Sequence, residues 1–351
     1  MSSESSTGGR TTVAAGSAGK NQLNTALEGT SSTVDEDVDE LADALKQVHV
    51  QEKGVSYVYK EHDVPETIHR IASWIESGKI DNILVLSGAG VSVAAGIPDF
   101  RTPGTGLYDN LQKYNLPYPE AVFDLNFYRR NPQPFVSLAK EIWPGISHLP
   151  TLTHSFLTLL ANKGLLLRNY SQNIDGLEFL ANLHPDKLVE CHGHFRTASC
   201  VRCGKAADGE IVKETIVFEG KAPKCSHCKK GFVKPDIVFF GEGLPPRFHS
   251  LLEQDLERAD CVLILGTSLQ VAPVSMIPDM VEKSCKRILF NRELVGSFDL
   301  SSKDRDVFHQ GDCDDSIASL SKRLGWYEDL VIANRKVKES IQNTKTKSKK
   351  S

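Results

Sequence analysis

The sequence predicts a doubly wound α/β fold, in which helices cover both faces of a parallel sheet, joined to a second, smaller domain. Short apolar runs alternate with helical stretches along most of the chain, and the runs end in small or polar residues. Apolar runs of this kind are typical of parallel strands buried on both faces. Their alternation with helices indicates right-handed βαβ crossovers. Two segments interrupt the pattern, and we expect them to build the smaller domain.

The amino-acid composition limits which classes of protein this chain can belong to. The chain has 351 residues, of which 40% are hydrophobic and 25% charged, and its net charge is −4. These values are typical of a globular protein with a large domain, a smaller module and tails, and the charge gives no global argument for nucleic-acid or membrane binding. No apolar run approaches the roughly 18 residues that span a bilayer. The 8 cysteines are too few for a disulfide scaffold of this length, which favours a reducing compartment.

Both ends of the chain are low in apolar residues. Residues 1–33 are small and polar, and we expect them to be disordered. Apolar residues then recur between positions 41 and 50, a spacing shared by a short amphipathic helix, a leucine-rich nuclear export signal and an ordinary solvated segment. Residues 335–350 are rich in lysine and predict a solvated basic tail.

Five apolar runs are the predicted strands, and two stretches between them are predicted helices. The runs occupy residues 83–86, 165–167, 188–189, 262–265 and 287–290, and the helices cover 68–77 and 251–258. Each run ends in small or polar residues, which include Gly88, Asn173, His192, Gly266 and Asn291. Ligands bind outside the carboxyl ends of strands in open α/β sheets, so we expect these residues to line a cleft between the two domains.

The interruptions set the expected domain boundaries. One is rich in aromatic residues and prolines, and the other holds four cysteines. We expect a disordered extension over residues 1–55, a sheet domain over 56–101, 150–192 and 235–325, a helical module over 102–149, a zinc module over 193–234, and a largely disordered basic helix or tail over 326–351.

The four cysteines form the most specific motif. Cys200, Cys203, Cys225 and Cys228 make two Cys-x-x-Cys pairs separated by 21 residues. Two such pairs complete a tetrahedral zinc site with all four ligands taken, so no position remains for substrate or water. The sequence therefore predicts a structural zinc ion. A redox dithiol or disulfides are the alternative, which a reducing compartment makes less favourable.

Two strand ends point to a dinucleotide. Gly88-Ala89-Gly90 follows a strand and allows the backbone to approach a pyrophosphate, but the third glycine of the dinucleotide fingerprint is replaced by Val93. A tight strand-to-helix turn explains this motif equally well. Asn291-Arg292-Glu293 ends another strand, where a polar or acidic group grips an adenosine ribose. Together the two signals favour a dinucleotide site over a simple strand-to-helix turn.

Other polar residues near the strand ends can take part in chemistry. Arg101 can neutralise a phosphate, and residues 172–176 offer amides and a carboxylate for ribose hydroxyls or a carboxamide, although a capped turn explains each alone. His192 is suited to proton transfer near neutral pH, and His194 is a nearby competitor. A surface or zinc-proximal role remains the alternative for both histidines.

Taken together, these motifs resemble one family, the sirtuins. They are Gly88-Ala89-Gly90-Val91-Ser92, Gly96-Ile97-Pro98-Asp99-Phe100-Arg101, Gln172-Asn173-Ile174-Asp175, His192-Gly193, the paired Cys-x-x-Cys, and Lys234-Pro235-Asp236-Ile237-Val238-Phe239-Phe240-Gly241-Glu242. The resemblance runs from about residue 55 to about residue 325. In detail the chain looks most like the class I group, and within it the cytoplasmic tubulin- and histone-deacetylating type or its mitochondrial relative.

The resemblance implies an NAD-dependent protein lysine deacylase whose sheet domain is a Rossmann-like NAD-binding domain. In this family the acyl oxygen of the substrate lysine attacks the nicotinamide ribose, nicotinamide leaves, and the acyl group ends on ADP-ribose as the 2′-O-acyl ester. By analogy His192 is the general base that activates a ribose hydroxyl, and Asn173 positions the ribose and a water. Ile174 and Asp175 would hold the nicotinamide carboxamide.

The resemblance also assigns the remaining site residues. The residues expected to bind NAD are Gly88, Ala89, Gly90, Val91, Ser92, Val93, Asp99, Phe100, Arg101, Gln172, Asn173, Ile174, Asp175, Gly266, Thr267, Ser268, Asn291, Arg292, Glu293 and Cys313. The residues expected to pair with the peptide and line the acyl-lysine tunnel are Val238, Phe239, Gly241 and Glu242.

The chain departs from the family pattern at three positions. Val93 stands where the family often has Ser or Thr, Arg292 where it often has Lys, and His194 where it has a smaller residue. None removes an expected catalytic group. The family branch specialised for acidic acyl groups carries an arginine after the Asp-Phe-Arg motif, and residues 102–111 contain none, which favours acetyl and longer apolar acyl groups.

Two other functions remain open at this point. The same fold could transfer ADP-ribose to protein, or the zinc module, with basic residues such as Arg202, Lys229 and Lys230, could bind nucleic acid or a partner without catalysis. We expect acyl-lysine proteins such as histones or tubulin as partners, and neither membrane nor direct nucleic-acid binding. The expected compartment is the cytoplasm, with shuttling to the nucleus.

Overall fold

The computed structural model describes residues 64–98, 116–144 and 147–348. The expected N-terminal extension, the apolar pattern at 41–50, and the predicted site residues Asp99, Phe100 and Arg101 lie outside the described residues.

Six parallel strands form the main sheet. The strands of the chain are β1 (Ile83–Ser87), β2 (Leu166–Ser171), β3 (Leu188–Glu190), β4 (Gly193–Cys200), β5 (Ala206–Ala207), β6 (Val233–Ile237), β7 (Cys261–Leu265), β8 (Lys286–Asn291) and β9 (Asp306–Gln310). The main sheet has the order β3-β2-β1-β7-β8-β9, and every neighbouring pair is parallel. The order reverses between β1 and β7, which is the topological switch point of a doubly wound sheet. The predicted fold class is confirmed.

Helices pack on both faces of this sheet. The α-helices are α1 (Glu66–Glu76), α2 (Leu125–Arg130), α3 (Gln133–Ile142), α4 (Leu152–Asn162), α5 (Leu177–Leu180), α6 (Gly209–Lys213), α7 (Pro246–Arg258), α8 (Ile277–Met280), α9 (Cys313–Arg323) and α10 (Tyr327–Ser348). Apolar residues of α1, α4, α9 and α10 form one core with the sheet. Residues of α7 and α8 form a second core on the opposite face. Because β1 and β7 lie between these two layers, they are buried along their whole length.

A smaller antiparallel sheet lies outside the main one. It has the order β5-β4-β6 and shares a third core with α2, α3 and α6. Aromatic rings dominate this core: Phe239 packs edge-to-face on Phe135, with ring centroids 5.0 Å apart, and Trp143 lies 4.8 Å from Phe195. The small sheet extends to Ile237, beyond the boundary that we expected at residue 234, because Val233 and Ile237 are buried in this core.

One strand of the main sheet and the C-terminal segment differ from the sequence prediction. The edge strand β9 was not predicted, since its sequence Asp-Val-Phe-His-Gln contains no continuous apolar run. The C-terminal segment, expected to be a largely disordered basic helix or tail, is helical as α10 up to Ser348. Leu330 and Asn334 explain the difference, because both side chains are buried where α10 packs against α4. In the described part of the chain, no helix has the length and apolar character needed to cross a bilayer.

Candidate functional site

The strand ends converge on a cavity of about 650 Å³ between the main sheet and the small domain. Fifteen of the predicted cofactor and catalytic residues line it: Gly88, Ala89, Gly90, Val93, Gln172, Asn173, Ile174, His192, Gly266, Thr267, Ser268, Asn291, Arg292, Glu293 and Cys313. The four predicted substrate residues Val238, Phe239, Gly241 and Glu242 line the same cavity. Residues from distant parts of the chain therefore share one space because parallel strands all end at this edge of the sheet.

Three predicted cofactor residues do not line the cavity in the described structure. Val91 and Ser92 are buried beneath it, each 1% exposed. The Asp175 carboxylate also lies below the surface, where it accepts hydrogen bonds from Ser92 Oγ at 2.6 Å and from the backbone N–H of Leu177 at 3.0 Å. These side chains form the underside of the site.

Ten further lining residues had no role assigned from the sequence, although Ile237 and Phe240 stand in the motif at 234–242. The ten are Phe123, Ile237, Phe240, Leu244, Gln270, Val271, Ala272, Val295, Gly311 and Asp312. Gly311 and Asp312 follow β9, so recognising that strand would have placed them at the sheet edge. The aromatic residues Phe123 and Phe240 carry no such signal, since their place in the wall depends on how the small domain packs.

The glycine turn brings the ends of β1 and β7 into direct contact. The backbone N–H of Gly90 donates to Gly266 O at 2.8 Å. A Cβ atom at Gly90 would lie 2.6 Å from Gly266 Cα, and one at Gly88 would lie 2.6 Å from Thr267 Cβ. Both distances are too short for any side chain. Glycine is therefore required at both positions for the turn to pack against the end of β7.

His192 lines the cavity and has one ring nitrogen without a partner among the described residues. Its Nδ1 lies 2.7 Å from the backbone oxygen of Gln172, so Nδ1 carries the proton and donates it, which leaves Nε2 unprotonated. Nε2 is buried and has no hydrogen-bond partner among the described residues. Burial lowers the pKa of His192, although its bond to Gln172 acts in the opposite direction. The ring is therefore neutral near pH 7 and able to accept a proton from a ligand.

His194 occupies a different place. It lines a separate groove formed with Arg196, Asp236 and Arg247 rather than the cavity that holds His192. The residue between the two histidines, Gly193, has φ +75°, and a Cβ there would lie 2.0 Å from Asp236 O. This turn directs the two rings to different surfaces, so geometry removes the ambiguity that the sequence left between them.

Asn173 is fixed beside the glycine turn. It is 5% exposed, and its side-chain amide donates to Gly88 O at 3.0 Å and approaches Ser92 Oγ at 3.3 Å. Its backbone N–H donates to Ser171 Oγ at 3.1 Å. Asn173 is therefore held at the floor of the cavity by three contacts, two of its side-chain amide and one of its backbone.

The segment after β6 is tied both to the histidine and to the small domain. The backbone N–H of Val238 donates to His192 O at 2.7 Å. The Glu242 carboxylate accepts from the backbone N–H of Phe239 at 2.8 Å and pairs with the buried ammonium of Lys234 at 2.9 Å. Glu242 thus closes the turn that shapes the cavity wall, while Phe240 is 44% exposed in that wall.

The end of β8 and the start of α9 contribute polar and thiol groups to the cavity. Asn291 Nδ2 donates to Glu293 O at 2.8 Å, and Arg292 forms an ion pair with Asp312. Burial raises the pKa of the Cys313 thiol to about 12, so this side chain is neutral and apolar. The combination suits an aromatic base beside a polar sugar.

The four predicted metal ligands lie together in the small domain. The sulfur atoms of Cys200, Cys203, Cys225 and Cys228 all lie within 4.8 Å of one another, and two of the separations are 3.8 Å. A tetrahedral site with zinc–sulfur bonds of about 2.3 Å requires sulfur atoms about 3.8 Å apart. Backbone N–H groups of Arg202, Cys228 and Gly231 donate to three of the sulfurs, which stabilises thiolates. The donor set therefore fits a structural zinc ion.

Comparison with known proteins agrees with the geometry. The sequence profile of the Sir2 family matches residues 88–273, a range that begins at the glycine turn and includes Asn173, His192 and all four cysteines. The chain belongs to the Sir2 family. NAD-dependent protein deacetylase hst2 of Schizosaccharomyces pombe is 46% identical over 276 residues, which cover 79% of this chain and 82% of that protein.

Two animal members of the Sir2 family are similar to the same degree. NAD-dependent protein deacetylase sirtuin-2 of Danio rerio is 46% identical over 281 residues, covering 75% of this chain and 73% of that protein. NAD-dependent protein deacetylase sirtuin-3 of Mus musculus is 47% identical over 265 residues, covering 76% of this chain and 78% of that protein. The Sir2 relationship thus spans the main sheet and the small domain alike.

Proposed function

We propose that this Sir2 protein is an NAD-dependent protein lysine deacetylase. One observation carries the proposal: the unprotonated Nε2 of His192 is buried without a described partner, in the same cavity as the glycine turn and Asn173. A base with no partner beside a dinucleotide-type turn fits an enzyme better than a passive binding module. The relatives are named for this activity.

The fit of NAD rests on three features of the cavity. The glycine turn leaves room for a pyrophosphate, Asn291 and Glu293 would hold the adenosine ribose, and Cys313 would lie near the adenine. Ile174 would face the nicotinamide, with Asp175 supporting it from below. Asp99, Phe100 and Arg101 remain proposed cofactor residues that lie outside the described structure.

The proposed chemistry assigns one task to each residue. NAD, when bound, supplies a ribose carbon with nicotinamide as its leaving group and the ADP-ribose that takes up the acyl group. His192 Nε2 would accept a proton from a ribose hydroxyl, and the Gln172 carbonyl, hydrogen-bonded to Nδ1, would stabilise the resulting imidazolium. Asn173 would orient the ribose, since its amide is already fixed. Apolar walls that include Ile237 and Phe240 would exclude bulk water.

The protein substrate would enter along the segment 238–242. This segment follows a strand, so an extended peptide could pair with its backbone, which would make selectivity for sequence loose. Apolar residues such as Val238 and Phe240 would accept a neutral acetyl-lysine and disfavour the charged lysine product. We propose acetylated proteins as the substrate class, and histones and tubulin as the first substrates to test.

The decisive experiment combines NAD, an acetyl-lysine peptide and three forms of the protein. The wild type should release nicotinamide in step with loss of the acetyl group. Replacing His192 by Ala should reduce the rate by roughly 100- to 10,000-fold, the usual contribution of general base catalysis. His194→Ala is the matched control, since that ring lies in the other groove, and it should keep most of the activity.

Three outcomes would contradict the proposal. They are a wild type that releases no nicotinamide with any acylated peptide, equal losses in the two histidine variants, or transfer of radiolabel from NAD to protein without any need for an acyl group. The last would indicate mono-ADP-ribosyl transfer on the same fold.

We propose the cytoplasm as the compartment, with visits to the nucleus. The proposal rests on the apolar pattern at residues 41–50, which lies outside the described structure, and on the lysine-rich C-terminus. A tagged chain should move into the nucleus when nuclear export is blocked. An unchanged distribution would count against shuttling.

A further inference from the structure

A carboxyl group lies buried beneath the floor of the cavity, where the proposed mechanism does not use it. Glu178, the second residue of α5, is 1% exposed. Its Oε1 accepts a hydrogen bond from Ser171 Oγ at 2.5 Å and lies 3.3 Å from Ser87 Oγ, whose proton is shared with Asn169 Oδ1 at 3.1 Å. An acidic side chain is rarely so completely buried unless it is paired. In the described structure, neither Glu178 nor Asp175 forms an ion pair with any lysine or arginine.

The two serines that contact Glu178 are the final residues of neighbouring strands. Ser87 ends β1 and Ser171 ends β2, and they lie directly opposite each other in the register of the sheet. Gly88 and Asn173, which line the cavity, follow these serines by one and two residues. Glu178 therefore contacts both of the strand ends that precede the glycine turn and Asn173.

The orientation of Asn173 depends on these contacts. Its backbone N–H donates to Ser171 Oγ, whose own proton goes to Glu178. Its side-chain amide donates to Gly88 O, which directly follows Ser87. The third contact of Asn173, Ser92 Oγ, is itself hydrogen-bonded to Asp175. Two of the groups that Asn173 contacts, Ser171 Oγ and Ser92 Oγ, are thus hydrogen-bonded to a buried carboxyl group. The third, Gly88 O, adjoins the strand end that Glu178 contacts.

The cluster is a hydrogen-bonding centre rather than a metal site. Atoms of His154, Asp175 and Glu178 lie within 4.8 Å of one another. However, Thr151 occupies His154 Nδ1, with its Oγ1 at 2.7 Å and its backbone N at 3.2 Å, and both carboxyl groups already accept hydrogen bonds from serine hydroxyls. Burial lowers the pKa of His154 and raises the pKa of both carboxyl groups. Neutral groups that accept hydrogen bonds suit this position better than charges.

We propose that Glu178 is a positioning residue for the reaction. It holds the ends of β1 and β2 at the separation at which the Asn173 amide faces the cavity, and it acts through its shape and its acceptor oxygen rather than through its charge. The inference rests on the proposed function, because positioning is measured through the reaction that Asn173 serves.

Three substitutions separate shape from charge. Glu178→Gln keeps the length and the acceptor oxygen and removes the charge, so kcat should stay within about threefold of the wild type. Glu178→Asp keeps the carboxyl group but withdraws it from both serines, so kcat should fall about 10- to 100-fold with little change in KM for NAD, the loss expected when a reacting group is misplaced by about 1 Å. Glu178→Ala should fall at least as far.

A matched control removes another buried carboxyl group. Asp306 is 2% exposed and pairs with Arg287 near the amino end of β8, at the edge of the sheet opposite the site. Asp306→Asn should lower the melting temperature without lowering kcat at 25 °C. If loss of stability alone lowered kcat in the Glu178 variants, an Asp306→Asn protein with the same melting temperature would show the same fall in kcat.

The outcomes decide between the two roles. Full kcat in Glu178→Asp, or a loss in Glu178→Gln as large as in Glu178→Ala, would overturn the positioning role. Crystal structures of the variants give a readout that does not need activity: Asn173 Nδ2 should stay at its 3.0 Å distance from Gly88 O in Glu178→Gln and move away in Glu178→Asp. A wild type without deacetylase activity would contradict the proposed function, while these distances would still test the positioning role.

Discussion

At the scale of single residues, the site depends on groups that are neutral where a surface group would be charged. His192 is the central case, because its Nδ1 donates to the Gln172 carbonyl and its buried Nε2 has no hydrogen-bond partner among the described residues. Burial also lowers the pKa of His154, beneath the floor, so this ring is neutral as well. A buried ring with one nitrogen fixed has one defined tautomer, which is what directional proton transfer needs.

The pH dependence of the reaction follows from this environment. Burial lowers the pKa of His192 below its ordinary value of 6.5, and only the unprotonated ring can act as a base. The kcat/KM for NAD should therefore stay constant as the pH falls to 6.5, then decline about tenfold per unit once the pH is below the lowered pKa. Rates measured between pH 5 and 9 test this. A decline that begins above pH 6.5 would show that the ring is stabilised in its charged form.

Residue patterns revealed the chemistry of the cavity wall but not of its underside. The glycine turn, Asn173, His192 and the cysteines carry recognisable spacings, and the structure places them in the cavity or in the sulfur cluster. Glu178 was not predicted, because an acidic residue at the start of a short helix usually lies at the surface. Its burial results from the meeting of β1, β2 and α5, which no local pattern encodes.

At the scale of elements, apolar runs predicted the centre of the sheet better than its edge. Both faces of β1 and β7 are covered, so every residue is apolar or small and the runs are continuous. The edge strand β9 is half-exposed over its last three residues and mixes polar with apolar side chains. The order of helix α10 was hard to predict for a related reason, because one of its buried residues is polar. Asn334 is held by donating to Pro150 O, Thr151 O and Ser155 Oγ, which an apolar pattern does not show.

The zinc module should depend on its metal for folding. Replacing Cys225 by Ser removes one of the four thiolates, so bound zinc should fall from about one ion per chain to less than about 0.1. Trp143 packs on Phe195 in the core of the small domain, and its fluorescence should shift to the red as that core opens. Metal analysis and tryptophan emission together measure both effects.

A second cysteine supplies the control for the zinc prediction. Cys285 is 1% exposed and lies in the core beneath the main sheet, away from the sulfur cluster. Cys285→Ser should keep its zinc and its Trp143 emission. Full zinc content in Cys225→Ser, or equal loss in both variants, would contradict a four-cysteine site.

At the scale of the whole molecule, the two sheets have separate cores and meet at the cavity. The Val238–His192 backbone bond and the Lys234–Glu242 pair connect the small domain to the strand ends of the main sheet. A ligand that fills the cavity therefore contacts groups from both domains. Binding should stabilise the molecule as a unit, independently of any chemistry that follows.

This coupling predicts how NAD changes thermal stability. At 100 times its dissociation constant, NAD should add about 2.7 kcal/mol to the free energy of unfolding, a rise of roughly 3–5 °C in melting temperature for a protein of this size. His192→Ala should keep the shift while losing turnover, since its ring serves proton transfer. Gly90→Ala should lose the shift, because its Cβ would lie 2.6 Å from Gly266 Cα and force apart the turn that receives the pyrophosphate. Scanning calorimetry of the three proteins with and without NAD measures this, and an undiminished shift in Gly90→Ala would place the dinucleotide away from the switch point of the sheet.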